Sequence, residues 1–225
     1  MSGGAATDEP ASRESPHRGR PVLRRGAAPE AAEAAALLLH GRGGSARGML
    51  ALADEARVPR VAFLAPRAAD HTWYPERFLA PLERNEPWLG SALELLDEVL
   101  SELAGAGVSR ERTVLIGFSQ GACLALEYAA RRGGRYGGVA ALSGGLIGPP
   151  GRSWDHGSSL GGTPVFLGCS DRDPHIPEER VHESGRVLES LGANVRVEIY
   201  PGLGHTVNGE EIEAVRGMLE VAAAA

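Results

Sequence analysis

Short unbroken apolar runs alternate along this chain with longer stretches whose apolar positions recur every three or four residues. The runs at residues 35–39, 61–65, 113–116, 139–142, 165–169 and 195–200 read as buried strands, with a further first strand over residues 20–25. Helical spacing follows most of them. Residues 46–57, 122–132 and 178–191 are helix-compatible, the last with Pro177 near its first position. Leu93, Leu96, Leu100 and Leu103 make an apolar stripe that Leu95 and Val99 widen; Ser91 and Glu94 read as a capping box before it, and Gly105 and Gly107 end it. Asn208 is placed to cap a final helix, with Glu211 three residues on and Ile212, Val215 and Leu219 on one face. Strands alternating with helices predict an α/β fold with a mainly parallel central sheet and helices on both faces. The 225 residues suit one such domain, expected over residues 20–225, behind a Ser-, Gly-, Pro- and charge-rich segment, residues 1–19, that reads as a disordered tail.

Composition changes this picture by exclusion. All 23 basic side chains are arginine, so Schiff-base chemistry and a lysine P-loop are ruled out within the chain. The net charge of −6 argues against non-specific nucleic-acid binding. Cys123 and Cys169 sit in apolar segments and read as buried free thiols, which suits a reducing, cytoplasmic setting. No apolar run approaches the roughly 18 residues of a membrane span. Arg24-Arg25 stands before an alanine-rich run, but Glu30 and Glu33 break that run and argue against a twin-arginine signal.

The chemistry concentrates at Gly117-Phe118-Ser119-Gln120-Gly121, where a strand runs into a helix through a turn with glycine two residues to either side of a serine. That is the context of a nucleophile elbow. Gly157-Ser158-Ser159-Leu160-Gly161 has the same spacing, but no strand leads into it, so it reads as a loop. A serine hydroxyl is a poor nucleophile at neutral pH and needs an imidazole to take its proton, with a carboxylate behind the imidazole to fix its tautomer. Asp171 or Asp173, then His205, follow at the ends of two later strands, in the order Ser…Asp…His. Asp171, Asp173 and His175 also form a weak metal-ligand set, with no third clear ligand type to complete it. The oxyanion of acyl transfer needs two backbone N–H groups; Gln120 at the helix start offers one, and Arg42 in the glycine loop 40–44 is the candidate for the other. His71, Trp73, Tyr74 and Phe78 follow another strand and read either as pocket walls or as satellite core.

Taken in order, Leu39-His40-Gly41-Arg42-Gly43-Gly44, Trp73-Tyr74-Pro75, the elbow, Leu142-Ser143-Gly144-Gly145, Asp171-Arg172-Asp173-Pro174-His175-Ile176-Pro177 and Gly204-His205 resemble the bacterial phospholipase/carboxylesterase family of α/β hydrolases, related to acyl-protein thioesterases. The resemblance implies a compact α/β-hydrolase fold with no large cap domain and no cofactor. It implies Asp173, rather than Asp171, as the third member beside Ser119 and His205, and supports Arg42 as an oxyanion donor. The expected activity is hydrolysis of a small carboxylic ester through an acyl-enzyme, with a thioesterase or lysophospholipase as the alternative and a non-catalytic binding protein as the remote one. Arg42 stands where the acyl-protein thioesterases carry an apolar residue, which argues for smaller or more polar esters. The expected partner is a small-molecule ester, with a homodimer left open and no metal site required.

Overall fold

The computed structural model describes residues 15–154 and 158–225. The strands are β1 (Val22–Gly26), β2 (Ala34–Leu39), β3 (Val61–Pro66), β4 (Thr113–Phe118), β5 (Gly138–Leu142), β6 (Pro164–Ser170) and β7 (Asn194–Tyr200). They form one sheet in the order β1-β3-β2-β4-β5-β6-β7, parallel throughout except for β1, which pairs antiparallel with β3 at the edge. The helices are α1 (Ala46–Ala56), α2 (Trp88–Gly105), α3 (Gln120–Arg132), α4 (Glu178–Ser190) and α5 (Gly209–Ala223).

The central strands are unbroken apolar runs because both faces are covered. On β2, Ala35, Leu37 and Leu39 join the core shared with α2, α3 and α4, while Ala34, Ala36 and Leu38 join the core shared with α1 and α5. All six are buried, and each leucine contributes about 1.5–3 kcal/mol by leaving water. β7, at the other edge, is only partly covered and correspondingly mixes Asn194, Arg196 and Glu198 with Val195 and Val197. No described insertion forms a separate cap over the carboxyl edge of the sheet, where the loops carrying the candidate site converge.

Two expectations need correction. The first helical residue of α2 is Trp88, not a position after Ser91. The Glu86 carboxylate accepts from Gly90 N–H at 2.8 Å and so serves the first turn, while Ser91 lies inside the helix and its hydroxyl accepts from His17 N–H at 3.0 Å. The second concerns the tail. Residues 1–14 lie outside the described residues, but Pro16 and His17 pack on the domain, while Arg18 and Gly19 are exposed. His17 is fully buried between the rings of Trp73 and Trp88, at 5.6 and 5.4 Å between centroids. At the other end of the chain, Asn208 and Glu211 form the reciprocal capping box that starts α5.

Candidate active site

Between β4 and α3 the chain turns on Ser119 alone, with φ 54° and ψ −117°. A side chain rarely accepts that conformation, and only tight surroundings hold it. A Cβ on Gly117 would stand 2.3 Å from the carbonyl carbon of Gly121, and one on Gly121 would stand 2.1 Å from Leu39 O. Both positions therefore require glycine, the second because α3 begins in contact with the end of β2. Ser119 N–H donates to Leu142 O at 2.9 Å, and Ser119 O accepts from Cys123 N–H at 3.0 Å, which ties the strained residue to β5 and to α3.

His205 reaches this serine from the loop after β7. Its Nε2 is 2.9 Å from Ser119 Oγ, and its Nδ1 is 2.6 Å from Asp173 Oδ2. The Asp173 side chain is fully buried and that of His205 is 18% exposed, so the acid is shielded from water while the imidazole edge faces the cavity. Asp173 Oδ1 accepts from the backbone N–H groups of His175 and Ile176 at 2.8 and 3.1 Å. Burial pushes the Asp173 carboxyl up, but the hydrogen bonds from His205 and from these two amides outweigh it, and the net shift is below the ordinary carboxylate value. Asp171, the alternative that spacing left open, instead accepts from Gly202 N–H at 2.7 Å and fixes the turn after β7. The metal-ligand reading of Asp171, Asp173 and His175 has no counterpart among the described residues, where no group of three such side chains converges.

Arg42 follows β2 and Gln120 opens α3, and neither backbone N–H meets an acceptor among the described residues. The glycine loop before them is shaped from two sides. His40 accepts from Ala68 N–H through Nε2 at 3.2 Å, so its Nδ1–H donates to Gly41 O at 2.8 Å, and burial holds its pKa below the ordinary histidine value. Outside it, Gly43 N–H donates to His71 O at 2.8 Å and the His71 ring meets Gly44 O at 2.8 Å.

A cavity of about 540 Å³ opens beside Ser119 and His205. Of the four aromatic candidates, Tyr74 and Phe78 line it; His71 and Trp73 do not. His71 is exposed on the glycine loop. Trp73 is wholly buried, donates from its indole N–H to His40 O at 2.7 Å and packs its ring against His40 and His17. Phe118, Cys123, His175 and Ile176 complete the walls. Phe118 precedes Ser119, Ile176 lies three residues after Asp173, and Cys123 lies one helical turn beyond Ser119, so proximity in sequence and helix period were the signals available. Both thiols are free and buried, and burial pushes each up to about 12, so they remain protonated.

The contacts that sequence reading missed hold the wall, residues 72–78, in place. Gln120 Oε1 accepts from Trp73 N–H at 2.9 Å, and its Nε2 donates to Tyr74 O at 2.8 Å. The Arg42 guanidinium donates to the carbonyls of Tyr74, Pro75 and Glu76 at 2.9, 2.8 and 2.6 Å. Both of its terminal nitrogens are thus engaged with the backbone.

Comparison with known proteins places this geometry. An acyl-protein thioesterase 1 of Yarrowia lipolytica is 28% identical over 83% of the chain and 91% of that relative. The crystal structure of a phospholipase/carboxylesterase from Dyadobacter fermentans superposes with a TM-score of 0.84 at 39% identity, covering 90% of this chain and 97% of that one. That of esterase PE8 does so with a TM-score of 0.73 at 29% identity, covering 89% and 97%. The phospholipase/carboxylesterase family profile matches residues 26–223, and the chain belongs to this family of α/β hydrolases.

Proposed function

We propose that the protein is a serine carboxylesterase acting on small carboxylic esters, short-chain or aromatic in the acyl part. The observation that carries this reading is the single imidazole bridging Ser119 Oγ and a buried carboxylate, at 2.9 and 2.6 Å. Ser119 Oγ attacks the ester carbonyl carbon as its proton passes to His205 Nε2. The carbonyl oxygen becomes an oxyanion and takes hydrogen bonds from Arg42 and Gln120 N–H. Collapse breaks the bond to the alcohol, which leaves with the proton from His205, and an acyl-serine remains. Water, deprotonated by His205, attacks that acyl group, and the serine recovers its proton. Asp173, ionised because its hydrogen bonds favour the charged form, holds the imidazole in register and stabilises the imidazolium.

The cavity, with Tyr74, Phe78, Phe118 and Ile176 as apolar walls, supports a short acyl or aromatic arm. A second reading keeps the mechanism and changes the bond to a thioester; the Yarrowia lipolytica relative favours it. Initial rates on matched oxyesters and thioesters, wild type beside Ser119→Ala, test both. The expected result is turnover of p-nitrophenyl acetate and butyrate falling by a factor of about 10³ or more in the variant, since the triad acts as a unit. Equal rates in the two proteins would remove Ser119 from the chemistry. A clear preference for the thioester at equal acyl group would select the second reading.

A further inference from the structure

Arg42 is asked for one thing by the mechanism, a backbone N–H, yet its side chain makes a second connection. The guanidinium spreads over three consecutive carbonyls, those of Tyr74, Pro75 and Glu76, and its Cζ lies 5.9 Å from the centroid of the Tyr74 ring. These residues line the cavity on one side, and Ser119, His205 and His175 line it near the chemistry. The planar fork with several fixed donors suits several acceptors at once, which a point charge or an apolar side chain does not. Three carbonyl oxygens in sequence point to this one side chain, so the wall segment has its position tied to a residue that lines the same cavity as Ser119. Gln120, the other oxyanion candidate, grips the same segment one step earlier, at Trp73 and Tyr74.

We infer that Arg42 is the specificity-determining residue for acyl length: by pinning residues 74–76 it fixes the cavity wall and excludes long acyl chains. The inference rests on the proposed esterase reading and concerns the same site. It differs from the simpler idea that a guanidinium near the site attracts polar esters, because three of the five N–H donors here go to backbone carbonyls.

The test compares kcat/KM for p-nitrophenyl acetate, butyrate, octanoate and decanoate in wild type, Arg42→Leu, Arg42→Gln and Arg42→Lys. The readout is the decanoate-to-acetate ratio, in which a change common to all substrates, such as a disturbed oxyanion loop, cancels. Arg42→Leu should raise that ratio by about tenfold, the equivalent of one net hydrogen bond's worth of wall restraint. Arg42→Gln and Arg42→Lys, each keeping part of the donor set, should fall between. A ratio unchanged in Arg42→Leu overturns the inference, as does a selective loss of activity on a succinate half-ester, which would mean that the guanidinium meets substrate charge. If Arg42→Leu does not fold, the same ratio in Arg42→Gln decides. Turnover that depends on Ser119 together with a flat ratio sinks only the wall argument; turnover that survives Ser119→Ala sinks the esterase reading itself.

Discussion

Two largely irregular segments leave the carboxyl edge of the sheet, residues 67–87 and, as far as described, 143–154 with 158–163, and among the described residues only the first lines the cavity. In sequence the first holds three prolines, three arginines and no glycine, and the second, over residues 143–163, seven glycines, two prolines and one arginine; both bury a tryptophan. What separates them is where their anchors stand. The second segment is bound to the flank of α3 and to α4. Glu127, fully buried in α3, pairs with Arg131 and with Arg152 of the segment, each at 2.7 Å, and accepts from Ile147 N–H at 3.2 Å. Arg180 of α4 donates to Leu146 O at 3.2 Å, and Arg152 and Arg180 lie over the Trp154 ring. The first segment is bound instead to Arg42, Gln120, His40 and His17, of which Arg42 and Gln120 line the cavity beside Ser119. An anchor on a helix flank contributes stability first; an anchor beside Ser119 would also couple the position of a wall to the proposed chemistry.

The largest effect, on stability, should come from the anchor on the flank of α3. Glu127→Ala removes the carboxylate from two guanidinium groups, that of Arg152 only 9% exposed, and from a buried amide. Breaking one side of such a buried network costs about 3–5 kcal/mol. Denaturant unfolding should show this as a lower midpoint at unchanged slope. The acyl-length ratio of the remaining folded enzyme should stay at the wild-type value. A shifted ratio would show that the two segments do not act separately, and a path exists for that: Gly148 N–H donates to Phe78 O at 2.7 Å.

Gln120→Ala reverses the balance. The backbone N–H at position 120 survives, but Trp73 N–H and Tyr74 O lose their buried partner. Leaving such groups unsatisfied costs about 1–3 kcal/mol. The acyl-length ratio should move in the same direction as in Arg42→Leu. If stability falls and the ratio does not move, the Gln120 side chain serves the fold alone.

The same contrast explains what could be read from sequence. Ser119, Asp173 and His205 stand out because the proposed acyl transfer accepts few residue types, and those types fall at strand ends that apolar runs announce. Gly117 and Gly121 stand out because the turn tolerates nothing larger. The wall is different. Its holders lie 32 to 56 residues away from it in sequence, through contacts such as Arg42 to Tyr74, Gln120 to Tyr74 and His17 to Trp73, and such pairs leave no periodicity. Trp73 and Tyr74 are adjacent aromatics of equal promise, yet one ring is held in the core by its indole N–H and the other lines the cavity. Ser91 and Glu94 satisfied the spacing of a capping box, but Glu86 caps α2 a turn earlier, so a correct local pattern lost to a competing local partner. His17 sits in a segment whose composition is that of a tail, and only the tertiary structure shows it buried.

His17 offers the smallest and most diagnostic change. Ala69 N–H donates to its Nδ1 at 3.1 Å, so its Nε2–H must donate to Trp73 O, at 3.0 Å, and the neutral ring uses both nitrogens. Burial lowers its pKa from 6.5 to about 4. The unfolded chain therefore takes up a proton at this residue before the folded one does, and the stability it contributes is full above pH 6.5 and lost as pH falls through about 4. Glu211 acts with the opposite sign: burial raises its pKa from 4.5 to about 7, so its contribution is full below pH 4.5 and lost as pH rises through about 7. The two windows overlap, and the raw stability profile of the wild type mixes them, with His40 adding to the acid side. The difference between wild type and His17→Gln isolates the histidine, because Glu211 and His40 are common to both proteins. At pH 7 the variant should lose about 1 kcal/mol, as a single imperfectly replaced hydrogen bond does. At pH 5 the deficit should shrink or reverse, since glutamine does not titrate. A deficit that stays constant from pH 7 to 5 would mean that His17 is not held neutral between Ala69 and Trp73. The N-terminal segment would then be packed on the wall without fixing it, and the first segment would rest on Arg42, Gln120 and His40.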